Sequence, residues 1–103
     1  MPSWWSKTDD DSREVERVLR EEFPRTDAYR YNGASVRVRV IDERFRGRPI
    51  EERDGLVEPY IHRLPIEIQA DIMNLLTFAP GETDDSIHRM FWNQEFENPD
   101  LSD

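Results

Sequence analysis

The sequence predicts a small α+β domain: a two-layer sandwich with helices on one face of a three-stranded mixed sheet, in the order αββααβα. Three observations predict it. Residues 35–42 alternate valine with arginine, the period of a strand whose two faces differ. Asn32-Gly33, a dipeptide suited to hairpin turns, separates that run from a second strand-like run at 27–32. Apolar residues at helical spacing stand on both sides of this pair.

Residues 1–11 show no periodicity and end in Asp9-Asp10-Asp11, so they read as a flexible arm before a domain at 12–93. Asp11 is the expected helix cap, with Glu14 three residues on completing a box-like pattern. Val15, Val18, Leu19 and Phe23 then share one helical face, and Pro24 ends the helix. In the first strand Tyr29 and Tyr31 point one way and Arg30 the other. The Asn32-Gly33 turn is expected to use positive φ. In the second strand Val36, Val38 and Val40 face the helices, which leaves Arg30, Arg37 and Arg39 on an open, solvated face.

Residues 42–48 form a loop, and Pro49 suits the first turn of a helix. Ile50, Val57, Tyr60, Ile61 and Leu64 give the apolar stripe, with a kink or break expected near residue 58 because of Pro59. Pro65 opens a short helix to about Ala70, and Ile72–Phe78 reads as a largely buried strand stopped by Pro80-Gly81. A last helix is expected from about Thr83 to Asn93, followed by an acidic tail at 94–103.

Composition narrows the function classes. The chain has 103 residues and no cysteine, which leaves no disulfide, thiol nucleophile or zinc–cysteine site and fits a cytoplasmic protein. No apolar run approaches the length of a membrane span, and Met1–Thr8 has no signal-peptide core. Net charge is −9, yet residues 29–48 carry six arginines against Asp42 and Glu43. Guanidinium groups pair well with carboxylates, phosphates and aromatic faces.

Three stretches resemble the BolA family. The strand Val36–Asp42 leads into Phe45-Arg46-Gly47, then Glu52-Arg53-Asp54 before Val57, similar to that family's strand, F-x-G and E-R-H pattern. Ile72-Met73-Asn74-Leu75, before Pro80 and Glu82, is similar to its I-H-A-L strand. The resemblance implies a three-stranded sheet roofed by helices, related to the type II KH topology. It also implies a link to iron–sulfur chemistry through the two motif histidines, but Asp54 and Met73 occupy those positions here. The KH-type G-x-x-G loop is absent, since Gly47-Arg-Pro-Ile50 keeps only the first glycine. A resemblance spanning nearly the whole chain is to small bacterial proteins of no assigned activity. It rests on Arg30-Tyr31-Asn32 with Ala34-Ser35, on Leu64-Pro65, and on Asn93-Gln-Glu95-Phe96-Glu97-Asn-Pro99.

No catalytic constellation is legible. Adjacent carboxylates such as Glu21/Glu22, Glu51/Glu52 and Asp84/Asp85 do not face one another on a helix. His62 is expected to be partly buried and hydrogen-bonded, and His88 exposed, without metal-ligand spacing. Ser12, Ser35 and Ser86 lie in no nucleophile motif. The expectation is therefore a non-catalytic protein-interaction or regulatory module with no cofactor, meeting a protein partner or a second copy of itself. Its candidate contact residues are Arg30, Arg37, Arg39, Arg44, Arg46, Arg48, Phe91, Trp92 and Phe96. The three aromatics either pack back on the domain or anchor a partner. Alternatives are a nucleic-acid-binding accessory protein acting through the arginines, and a BolA-like iron–sulfur accessory protein.

Overall fold

The computed structural model describes residues 8–82. They form α1 (Asp10–Leu19), β1 (Thr26–Asn32), β2 (Ser35–Ile41), a 3-10 turn at Glu43–Phe45, α2 (Ile50–Ile61), α3 (Ile66–Asp71) and β3 (Ile72–Phe78). β2 is the central strand of one mixed sheet, antiparallel to β1 and parallel to β3. The closing helix expected over 83–93, the tail at 94–103, Phe91, Trp92, Phe96 and His88 lie outside the described residues.

α1 begins earlier than the sequence suggests. Asp9, not Asp11, is the cap: its carboxylate accepts the Ser12 N–H at 2.8 Å, and the Ser12 hydroxyl accepts the Asp9 N–H at 2.8 Å. Any of three consecutive aspartates can cap, so burial selects the register, bringing Ser12, Val15, Val18 and Leu19 inside. Glu14 stays outside the box and holds Arg17 instead. The helix stops at Leu19, and Phe23 reaches the core from the following turn, where its N–H donates to the Leu19 carbonyl at 2.8 Å. Its ring stacks on Phe45 and meets Tyr60 edge-on.

The hairpin turn also forms differently. Gly33 and Ala34 connect β1 to β2, and positive φ occurs only at Gly47 and Gly81 among the described residues. The Asn32 side chain closes the turn by accepting the Ala34 N–H at 2.8 Å, and a bulge between Arg30 and Asn32 takes up the twist.

Strand register assigns the faces. Val36, Val38 and Val40 of β2 and Ala28 of β1 pack with Val15, Leu19, Phe23, Phe45 and Val57 into the core beneath the helices. Burying each large apolar side chain stabilises by about 1.5–3 kcal/mol. Arg30 stands opposite Val36 and so shares the helix-side face, contrary to the expectation that groups it with Arg37 and Arg39. There it binds Asp9 at 2.8 Å, Asp11 at 2.7 Å and Asp71 at 3.0 Å, tying α1, β1 and α3 together.

The other face is not a solvated arginine surface. Arg37 and Arg39 are 6% and 0% exposed. They stand across from Tyr29 and Asp27, which supply a phenol at 2.9 Å and a carboxylate at 2.5 Å, and Arg37 also lies over the Tyr31 ring at 3.5 Å. Leu76 and Phe78, aligned with Arg39 and Ile41, are buried on the same face. Alternation names the two faces of a strand, but it does not say which face is wet.

α2 runs unbroken through Pro59 to Ile61. Pro59 is exposed and in the last turn, so it removes one hydrogen bond near an end that the His62 N–H still closes on the Glu58 carbonyl at 3.0 Å. Arg53 of α2 is 3% exposed. It donates to the Arg48 carbonyl at 2.7 Å, to the Thr77 carbonyl of β3 at 2.9 Å, and to both Glu82 carboxylate oxygens at 2.7 and 2.9 Å. Arg53→Ala should therefore lower the unfolding free energy by about 3–5 kcal/mol, as for breaking a buried ion pair. Asp9→Ala should cost about 1 kcal/mol, the worth of a cap. Urea unfolding followed by circular dichroism measures both, and equal losses would contradict the assignment of Arg53 as the stronger tie.

Candidate functional site

The candidate arginines of the described chain are already engaged. Arg44 binds Asp42 and Glu22, both at 2.8 Å, and lies over the Phe23 ring. That guanidinium beside Asp42 holds the carboxyl below its ordinary value. Arg46 holds Glu43 and the Pro80 carbonyl, and Arg48 holds Glu52 at 3.1 Å. Arg44, Arg46 and Arg48 are exposed, whereas Arg30 is turned to the helix side and Arg37 and Arg39 are buried. The six therefore do not make one surface. The adjacent acids are likewise split among partners, with Glu21 on Arg63 and Glu22 on Arg44.

Uncompensated charge collects elsewhere. A cleft of about 330 Å³ opens between α2, α3 and β3, lined by Asp54, Glu58, Ile61, His62, Gln69, Ile72 and Leu75. Asp54, Glu58 and His62 follow at intervals of four, so successive turns of α2 place them along one side. Asp54 Oδ1 is sealed from solvent and has no hydrogen-bond partner among the described residues. Desolvation, then the charges of Glu51 and Glu58, hold the Asp54 carboxyl above its ordinary value. His62 is exposed rather than partly buried, because the unbroken helix carries it to the C-cap. The sequence offered the signal for this stripe in its i, i+4, i+8 spacing, but the expected break at residue 58 divided it.

The cleft has an apolar and a polar side. Its apolar wall is Ile61, Ile72 and Leu75, and its polar groups among the described residues are two carboxylates, an imidazole and an amide. A cationic group carried on an apolar stem fits that lining.

The layer order, the parallel return of β3 and the helices on one side define a small α+β domain. The fold is BolA-like: the chain is similar to the solved structure of BolA1 from Arabidopsis thaliana, with a TM-score of 0.52 at 14% identity, covering 73% of this chain and 98% of that one. No protein-family model and no curated protein matches the sequence.

The motif positions set against the BolA histidines do not suit an iron–sulfur cluster. Asp54 offers a hard oxygen on the cleft wall, and Met73 offers a thioether that is 63% exposed on β3. Among the described residues no group of three or more His, Cys, Asp or Glu side chains is placed to hold a metal ion. No helix among them is long and apolar enough to cross a membrane.

Asp54 gives a pH signature. Its folded-state pKa lies above the ordinary carboxyl value of 3.8, so the folded chain holds that proton more tightly than the unfolded chain. Stability is then lost as pH rises from about that value through the folded pKa. Asp54→Asn should be more stable than the parent at neutral pH by roughly 0.5 kcal/mol, the scale of a partly solvated charge, and the gain should close in acid. Thermal unfolding of both chains across the acid range reads this, and a difference independent of pH would contradict it.

Proposed function

We propose that this chain is a non-catalytic accessory module that acts by docking to another protein. The observation carrying the reading is the contrast between the neutralised arginines and the uncompensated Asp54–Glu58 cleft. The BolA-like fold supports a small regulatory or accessory protein. A cysteine-free chain with no assembled nucleophile or metal site among its described residues accords with a role in binding in a reducing, cytoplasmic setting. Nucleic acid is the weaker reading. Phosphates would have to displace the carboxylates already held by Arg44, Arg46 and Arg48, against a net charge of −9. A second copy is disfavoured by the same charge.

Size-exclusion of a low-salt extract of the native cells, probed for this chain, tests the reading. The chain should elute in a complex well above its 12.3 kDa and remain there after nuclease treatment. Elution as the bare monomer overturns docking, and a complex lost to nuclease transfers support to the nucleic-acid reading.

A further inference from the structure

The two edges of the sheet are treated differently. On β1, α1 and the residue that caps its C-terminus supply partners for the outward backbone: Glu16 accepts the Ala28 N–H at 2.9 Å, and Arg20 donates to the Thr26 carbonyl at 2.9 Å. Such covering is how proteins keep an edge strand from pairing with another chain. On β3, the Phe78 carbonyl accepts the Asp42 N–H, so Phe78 turns its backbone inward to β2. Its neighbour Thr77 turns outward, and Arg53 covers the Thr77 carbonyl. Two residues back, Leu75 has the same outward orientation by strand alternation. No described residue bonds its backbone on that edge. Among the described residues the edge is thus closed at its end and unbonded in its middle.

The open stretch adjoins the acidic cleft, since Leu75 lines it together with Asp54 and Glu58. Just upstream, a bulge interrupts the ladder between Ile72 and Asn74, and Met73 is exposed there. A backbone donor and acceptor beside two uncompensated carboxylates and an apolar wall match an extended chain bearing a basic side chain. Strand addition supplies main-chain bonds, and a pocket beside the edge supplies selectivity. A second copy of this acidic chain is the poorer occupant on charge.

We infer that the middle of β3 receives an extended, basic segment of the partner protein as a fourth strand, pairing its backbone with Leu75 and directing a Lys or Arg side chain into the cleft toward Asp54 and Glu58. The inference rests on the docking reading and adds the place and chemistry of the contact.

The probe is a peptide of about eight residues alternating lysine and valine, the length of an ordinary strand. Titration into the 15N-labelled full chain should shift the amide signals of Leu75 and Asp54 first. The double variant Asp54→Asn/Glu58→Gln should weaken binding by about tenfold, as for losing a charge pair at an interface. A peptide N-methylated at alternate residues, on the edge that would pair, should fail to bind. An unshifted Leu75 amide, equal affinity for the double variant, or equal affinity of the methylated peptide overturns the inference. Concentration-dependent dimerisation of the chain through the Leu75 edge overturns it too, because the occupant is then a second copy. In native extract, a complex that survives Asp54→Lys/Glu58→Lys leaves docking standing and removes this site. Absence of any complex removes docking itself.

Discussion

The central position of β2 constrains the rest of the molecule. Among the described strands it is the only one with a neighbour on both sides, so its side chains have no route to solvent except through the sheet's two faces. Its valines take one face, and that face sets where α1 and α2 can lie. Its arginines take the other, where Arg37 and Arg39 are buried. A buried guanidinium without a partner is strongly destabilising, so each must be met by a group from β1. Tyr29 and Asp27 meet them only in the observed hairpin register. A slip of one residue would put Arg30 and Ala28 against the two guanidiniums and bring Tyr29 and Asp27 toward the helices. The arginines that look like a surface property therefore help specify the pairing of the sheet.

Electrostatic pairing extends that logic beyond the sheet. Arg30 joins α1 to α3, and Arg53 joins α2 to the end of β3. Arg44 joins the 3-10 turn to the segment after α1. Each connects parts far apart in the chain, where a fixed guanidinium fork orders two backbones at once. Acids outnumber bases by nine, so charge neutrality is impossible and the surplus must reside somewhere. Within the described residues part of it lies along α2, where Asp54 and Glu58 share a cleft and Asp54 keeps an unpartnered oxygen.

Much of the architecture was legible in the sequence because its signals are local. Alternation at 35–42 and the apolar run at 72–78 give strands within one residue of those observed, and Pro65 opens the short helix. What was illegible depends on register or competition between neighbours. Three consecutive aspartates hold equivalent capping chemistry, and only the burial of Ser12 and Val15 decides among them. The side on which Arg30 lies relative to Arg37 follows from hairpin pairing, which no single strand reveals. Pro59 looks like a breaker in any list of propensities, yet its cost is small on an exposed last turn. The same misjudged proline concealed the Asp54–Glu58–His62 stripe, since a continuous helix is needed to align it.

The asymmetry of the edges is the step that connects this architecture to a role. A domain selected only for solubility has every reason to blunt both edge strands, and α1 shows that the means were available. On β3 the arginine that covers Thr77 is committed to Glu82, and the next residue of the helix, Asp54, presents a carboxylate instead of a donor. A carboxylate cannot donate to the outward Leu75 carbonyl, and none among the described residues accepts its N–H, so no described residue bonds that edge beside the Asp54 and Glu58 carboxylates. Exposed edge and unmatched charge each weaken the free domain slightly. Their coincidence at one place is economical if both are satisfied together by one incoming strand.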